Sequence, residues 1–173
     1  MPTDALKARI RHVPDFPKPG ILFYDVTTLL RDGAGFGQAL DLLIAPYAAS
    51  EIDLVVGIES RGFILGSAVA DRLGAGFVPV RKLGKLPAET VRASYALEYG
   101  TDSLEMHRDA VVPGQRVLIV DDLLATGGTA HATVQLVKGL GGTIVGVCFL
   151  IELAALDGRA RLAGEPVHVV LTY

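Results

Sequence analysis

VLIVDDLLATGGT, residues 117–129, begins as a pure apolar run and ends in a glycine- and hydroxyl-rich loop. Residues 117–120 read as a strand buried on both faces. Asp121 and Asp122 stand at its end, and helical spacing resumes over residues 129–140. Two like charges side by side repel, and a bare carboxylate beside a core is costly. The crevice beyond the strand should therefore hold something that compensates them.

The loop says what kind of group that is. Gly127 and Gly128 let backbone amides face inward without obstruction. A helix N-terminus adds free N–H groups and the positive end of a dipole. Thr126 and Thr129 add hydroxyls, and with Ala125 these residues make a cradle for a phosphate dianion. The stretch lacks the lysine of GxxxxGK[ST] and has no GxGxxG, so neither the common triphosphate loop nor the dinucleotide fingerprint is present. Carboxylates do not hold phosphate; they accept from hydroxyls or bind magnesium. An acid pair followed by a phosphate cradle therefore fits a sugar phosphate with free hydroxyls, the layout of ribose 5-phosphate. The competing reading makes Asp121 and Asp122 plain turn or capping residues, and the ATGGT that follows weighs against it.

Working outward, apolar strands alternate with helices. LVVGI (54–58) is followed by the helical GFILGSAVADRL, then by GFVPV (76–80). TIVGVCFLIEL and VHVVL follow the central stretch. This rhythm predicts an α/β fold with a mostly parallel twisted sheet flanked by helices. Residues 4–10 read as a short helix, and residues 36–48 as another with Phe36, Leu40, Leu43 and Ile44 on one face. PDFPKPG (14–20) has three prolines and reads as a stiff loop. Residues 81–114 interrupt the rhythm. Alternation in residues 94–99 and 103–106 suggests a two-stranded ribbon around Gly100-Thr101-Asp102, the pattern of a flexible lid.

Composition narrows the class. The 173 residues suit one domain, 1–173, and half of them are hydrophobic. A net charge of -3 weighs against nucleic-acid or membrane-surface binding. The single cysteine, Cys148, reads as a small buried hydrophobe and suits a reducing, cytoplasmic setting. The N-terminal stretch has no signal-peptide pattern, and no apolar run approaches the roughly 20 residues of a membrane span. His12, His107, His131 and His168 have no metal or triad spacing.

The stretch at 117–129 resembles the phosphoribosyl-diphosphate (PRPP) motif of type I phosphoribosyltransferases. PDFPKPGILFYD, GIESRGFILG, VPVRKLGKLP and SYALEYG extend the resemblance to the adenine-specific branch, over nearly the whole chain. The resemblance implies that Asp121 and Asp122 hold the ribose 2- and 3-hydroxyls and that Ala125, Thr126, Gly127, Gly128 and Thr129 hold the 5-phosphate. Glu59, Ser60 and Arg61 match a pyrophosphate loop with a cis peptide between the acid and the serine. Arg81, Lys82 and Lys85 become diphosphate ligands, partly donated across a homodimer interface. Glu98 and Tyr99 fall on the lid, with Glu98 as the proton shuttle to the base. Residues 13–30 become a small base-binding hood in which main-chain groups near Leu22 and Tyr24 read adenine, and Leu153 packs on the base. Residues 81–114 become the basic loop and lid. Mg2+ is implied as a cofactor carried by PRPP, with no certain protein ligand.

The implied reaction is adenine plus PRPP giving AMP and pyrophosphate, in purine salvage. Two alternatives stand beside it. One is transfer to another purine base, against which the N-terminal hood pattern argues. The other is a PRPP-sensing regulator on the same fold, which would need an effector region for which this chain has no spare length.

Overall fold

Three prolines keep residues 14–20 out of helix, and there the chain turns back on itself. In the computed structural model, which describes residues 2–97 and 100–173, strand β1 (Arg11–Pro14) pairs antiparallel with β2 (Leu22–Asp25). The loop between them carries a cis Phe16-Pro17 bond, and the Gly20 N–H donates to Asp15 Oδ1 at 2.8 Å. Phe16 and Phe23 meet edge to face at 5.1 Å. This hairpin, which the stiff-loop reading of 14–20 did not include, belongs to the first of two compact units, Met1–Leu42. The same unit holds α1 (Pro2–Lys7), the single turn α2 (Thr27–Leu30) and most of α3 (Gly33–Ile44). Helix α1 stops short of residue 10: the Arg9 and Ile10 N–H groups donate to the Leu6 and Lys7 carbonyls, three residues back, in turns tighter than an α-helix. Leu6 and Leu29 are fully buried.

The second unit, Leu43–Tyr173, carries the alternating pattern. Its elements are β3 (Leu54–Ile58), α4 (Arg61–Leu73), β4 (Gly76–Lys82), β5 (Thr90–Ala96), β6 (Thr101–His107), β7 (Arg116–Leu124), α5 (Gly128–Gly139), β8 (Thr143–Glu152) and β9 (Val167–Thr172). Among the described residues they form one sheet in the order β5-β6-β4-β3-β7-β8-β9. Every neighbouring pair from β4 to β9 is parallel. The sequence expectation of a mostly parallel sheet therefore holds. The core lies on the apolar runs: Ile58, Leu118, Ile119 and Phe149 are fully buried. Each such side chain contributes about 1.5–3 kcal/mol on leaving water. Cys148 is among the buried residues, and burial pushes its thiol pKa up.

In this second unit, two elements differ from the sequence reading. The strand that begins at residue 116 does not end at Val120; it runs to Leu124. Strand β8 continues alongside it, pairing Asp121 with Phe149, Leu123 with Ile151 and Leu124 with Glu152. Ladder pairing overrides the poor strand preference of aspartate. The ribbon is also longer and better anchored than expected. It spans residues 90–96 and 101–107, and β6 pairs with β4 through Arg81–Glu105 and Lys82–Leu104. The ribbon thus extends the main sheet. Val91, Ala93 and Tyr95, every second residue of β5, pack on the core.

Topology creates the crevice. After β3, α4 leads to β4 on one side; after β7, α5 leads to β8 on the other. The chain order reverses between β3 and β7, and ligands in open α/β sheets bind beyond the strand ends at such a point. Among the described residues, no helix is long and apolar enough to cross a membrane.

Candidate active site

The acid pair sits within β7, one residue beyond its apolar run. Both carboxylates are buried. Asp121 lies against the first turn of α4: a methyl group on Gly62 would come within 2.7 Å of Asp121 Oδ1. That oxygen also accepts the Asp122 N–H at 2.9 Å. Burial, and then the charge of Asp122, push the Asp121 carboxyl well above the usual range. Asp122 Oδ2 accepts from Arg61 Nε. The guanidinium expected to face a diphosphate is thus held by a carboxylate expected to bind ribose.

Glu59 follows β3, and the Glu59-Ser60 peptide is cis, as the resemblance implied. Its carboxylate gathers the basic cluster. Oε2 accepts from Arg81 Nε at 3.2 Å and from the Lys82 N–H at 3.0 Å; Oε1 accepts from Lys85 Nζ at 3.0 Å. Burial alone would raise the Glu59 pKa, but the Lys82 amide, Lys85 and Arg81 together bring it below the usual value. The Lys82 side chain turns elsewhere, to Asp102 Oδ2 at 3.0 Å.

A further buried carboxylate, missed in the sequence, shapes the loop after β4. Glu105 accepts from the Lys85 and Leu86 N–H groups, each at 3.2 Å, and from Thr90 Oγ1 at 3.3 Å. Its alternation within β6 looks like an exposed strand acid, and only the pairing of β6 with β4 turns it inward.

The glycine-rich loop expected to hold a phosphate follows β7. Gly127 has φ 81°, a left-handed conformation open to glycine, and Gly128 begins α5. A cavity of about 780 Å³ opens over this turn. Among the described residues that line it are Ala125, the run from Thr126 to Thr129, Lys82, and the ribbon residues Tyr95 and Asp102. Tyr95 donates to Asp102 Oδ2 at 3.1 Å, and burial with the Asp102 charge pushes the phenol up to about 12. Asp121, Asp122, Glu59 and Arg61 are not in that lining; the acid pair runs on to it along β7 through Leu123 and Leu124, and Arg61 is joined to the pair through Asp122.

Leu153 follows β8, and its N–H donates to the Leu124 carbonyl at 2.9 Å, so it lies beside the end of β7. Leu22 and Tyr24 belong to the first unit. Leu22 is exposed, and Tyr24 meets His12 edge to face at 5.0 Å across the hairpin. Glu98 and Tyr99 lie outside the described residues. Sequence reading also missed the turn Gly158–Leu162, whose Arg161 lines the cavity. Two arginines in a polar stretch carry no periodic signal.

The arrangement joins a buried acid pair, clustered cations and a glycine-lined helix start at one switch point. A model of the phosphoribosyl transferase domain matches residues 30–168. An adenine phosphoribosyltransferase of Acidobacterium capsulatum is 60% identical over 98% of this chain and 94% of its own. The crystal structure of the adenine phosphoribosyltransferase of Rhodothermus marinus superposes with a TM-score of 0.96 at 57% identity, over 99% of this chain and 98% of that one. That of Saccharomyces cerevisiae, in complex with an imino-altritol bisphosphate and adenine, does so with a TM-score of 0.93 at 41% identity, over 98% of both. Such identity, sustained from the hairpin to the last strand, means that the chain belongs to the adenine phosphoribosyltransferases, a family built on the phosphoribosyl transferase domain.

Proposed function

We propose that this chain moves the 5-phosphoribosyl group of PRPP onto adenine, giving AMP and pyrophosphate. The observation that carries the proposal is the buried Asp121-Asp122 pair leading directly into the Gly127-Gly128 start of α5. Asp121 and Asp122 accept from the ribose 2- and 3-hydroxyls. Ala125, Thr126, Gly127, Gly128 and Thr129 hold the 5-phosphate through amides and hydroxyls. Both anchors leave the anomeric carbon facing the crevice. Alignment of this kind removes much of the entropic part of a barrier.

The base nitrogen displaces pyrophosphate through an oxocarbenium-like state, by analogy with glycoside chemistry. The leaving group carries several negative charges. Arg61, Arg81, Lys82, Lys85 and the Ser60 amide meet them, and Glu59 keeps two of those cations in place beforehand. Asp121 and Asp122 are the carboxylates that could reach a magnesium ion carried on PRPP, with substrate phosphates filling the rest of its shell, and such an ion would help neutralise the diphosphate charge. Glu98 shuttles the proton at the imidazole side of adenine, with Tyr99 beside it on a lid that excludes water. Main-chain groups near Leu22 and Tyr24 read the base edge, and Leu153 packs on its face. A homodimer in the cytoplasm completes the reading. The exposed Ile64 and Leu83, each close in sequence to site cations, are candidates for the surface a second copy would cover.

Turnover of labelled adenine with PRPP and magnesium, against hypoxanthine and guanine as competitors, tests the reaction. Labelled AMP with little competition is the expected result. Product from hypoxanthine but not adenine overturns the base assignment, and PRPP binding without product from any base favours a sensor. For Glu98→Gln, general acid–base catalysis predicts a kcat about 100- to 10,000-fold lower with PRPP affinity unchanged. Full rate in that variant removes the shuttle from Glu98.

A further inference from the structure

The phosphate loop has a second wall, and its position is fixed from two directions. Gly127 and Gly158 meet backbone to backbone. A methyl group on Gly127 would come within 2.5 Å of the Gly158 carbonyl oxygen, and one on Gly158 within 2.3 Å of the Ala125 carbonyl oxygen. Neither position has room for a side chain. The same turn is tied to the sheet by Arg159, whose Nε and Nη2 donate to the two Glu152 carboxylate oxygens at 2.7 and 3.0 Å. Glu152 is buried at the end of β8, and this fork-on-fork pairing fixes direction as well as distance.

Two residues further on, Arg161 leans over the glycines. Its Cβ would lie 3.3 Å from a methyl group on Gly127, and its Nη1 3.4 Å from one on Gly128. It lines the same cavity as Thr126 and Thr129. Arg61, Arg81 and Arg159 each have a carboxylate partner, whereas Arg161 makes no hydrogen bond or ion pair to a described residue. A guanidinium held at the N-terminal end of the 12-residue α5 faces the positive end of the helix dipole. That placement is unfavourable until an anion sits between the two.

We propose that Arg161 is a ligand of the 5-phosphate monoester of PRPP and of AMP, completing from the far side the cradle that residues 125–129 begin. Arg159, through Glu152, is the positioning residue that holds the turn. The inference rests on the phosphoribosyl-transfer reading of the site and adds a cation to it. The fork of N–H groups matches phosphate oxygens, which explains an arginine there. Because the 5-phosphate stays intact throughout the reaction, Arg161 acts on binding and alignment and leaves proton transfer to other groups.

The test compares wild type, Arg161→Ala and Arg161→Lys as full chains, with AMP and magnesium pyrophosphate as calorimetric ligands. Losing a charge-assisted contact predicts AMP binding about 10- to 100-fold weaker in Arg161→Ala. The KM for PRPP rises, pyrophosphate affinity and the adenine KM stay the same, the thermal midpoint is unchanged, and Arg161→Lys recovers part of the loss. Unchanged AMP affinity in Arg161→Ala overturns the proposal. So does an equal loss for AMP and pyrophosphate with a lowered midpoint, which would mark a purely structural residue. Wild-type turnover of adenine, measured alongside, separates the two levels. If it is absent, the reading of the site fails; if it is normal and AMP affinity is unaltered in the variant, only the role of Arg161 fails.

Discussion

Asp121 is a buried carboxyl whose pKa is raised by burial and then by its neighbour Asp122. The native state therefore holds that proton more tightly than the unfolded chain does. Between the ordinary aspartate value of 3.8 and the raised native value, stability falls as pH rises. Asp121→Asn keeps the shape, keeps an oxygen for the Asp122 N–H and removes the charge. Its thermal midpoint should exceed that of the wild type at pH 8, with the gap closing as pH falls toward 4. Its kcat/KM should drop about 10- to 100-fold if a ribose hydroxyl loses a charged acceptor. A midpoint lower than wild type at pH 8 would mean that the charge is already compensated in the native state. Glu59 has the opposite sign. Its native pKa is lowered, so its contribution is present above the ordinary 4.5 and is lost as pH falls through the native value. Glu59→Gln should lower the midpoint at pH 7 and leave it unchanged in strong acid, as a pH series of thermal melts reads directly. The adjacent carboxylates of residues 121 and 122 were legible in the sequence as a cost needing an explanation. The gathering role of Glu59 was not, because its partners Arg81 and Lys85 lie 22 and 26 positions away and become neighbours only through the parallel pairing of β3 and β4.

The start of α5 depends on one backbone conformation and one close contact. Gly127 has φ 81°, and a methyl group there would meet the Gly158 carbonyl oxygen at 2.5 Å. Gly127→Ala meets both obstacles. The left-handed backbone alone costs about 1–2 kcal/mol for an L residue, and relief of the clash must move the turn that carries Arg161. The expected outcome is a lower thermal midpoint and a PRPP KM raised at least about tenfold, a loss of some 1.4 kcal/mol in binding, while far-ultraviolet circular dichroism stays native. An unchanged PRPP KM would show that residues 125–129 are not the phosphate loop. The helix was legible from its glycines and hydroxyls to within one residue at each end. The end of β7 was not, because an apolar run marks where a strand is buried and not where its ladder stops. Asp121, Asp122, Leu123 and Leu124 stay extended because β8 supplies partners up to Glu152. The ribbon shows the same limit. Its alternation was visible, but its anchoring to β4 through Arg81–Glu105 is a long-range pairing that no local pattern encodes.

At the scale of the whole molecule, the site is assembled from the carboxyl ends of β3, β4 and β7, which stand side by side at the reversal of chain order. Strand and helix alternation made the fold class readable, and the wider resemblance supplied residue roles that alternation could not. What neither supplied is how these charges occupy one another without substrate. Arg61 reaches across 61 positions to Asp122, Arg81 and Lys85 hold Glu59, and Lys82 holds Asp102. The cations of the basic cluster thus rest on neighbouring carboxylates, two of which, Asp122 and Glu59, are largely withdrawn from solvent. PRPP with magnesium should replace them with stronger contacts that exist only in the folded chain. Ligand at 100 times its Kd stabilises by about 2.7 kcal/mol. A chain of this length shifts its midpoint by about 2–4 °C per kcal/mol. Saturating magnesium PRPP should therefore raise the thermal midpoint by about 5–11 °C at that excess. Ribose 5-phosphate and magnesium pyrophosphate, given singly, should each produce a smaller rise, because each fills only part of the crevice. An immobile midpoint under saturating PRPP would mean that the converging strand ends do not form its site. A rise with pyrophosphate equal to that with PRPP would place all the binding on the basic cluster and leave the Asp121-to-Thr129 stretch without the sugar phosphate assigned to it.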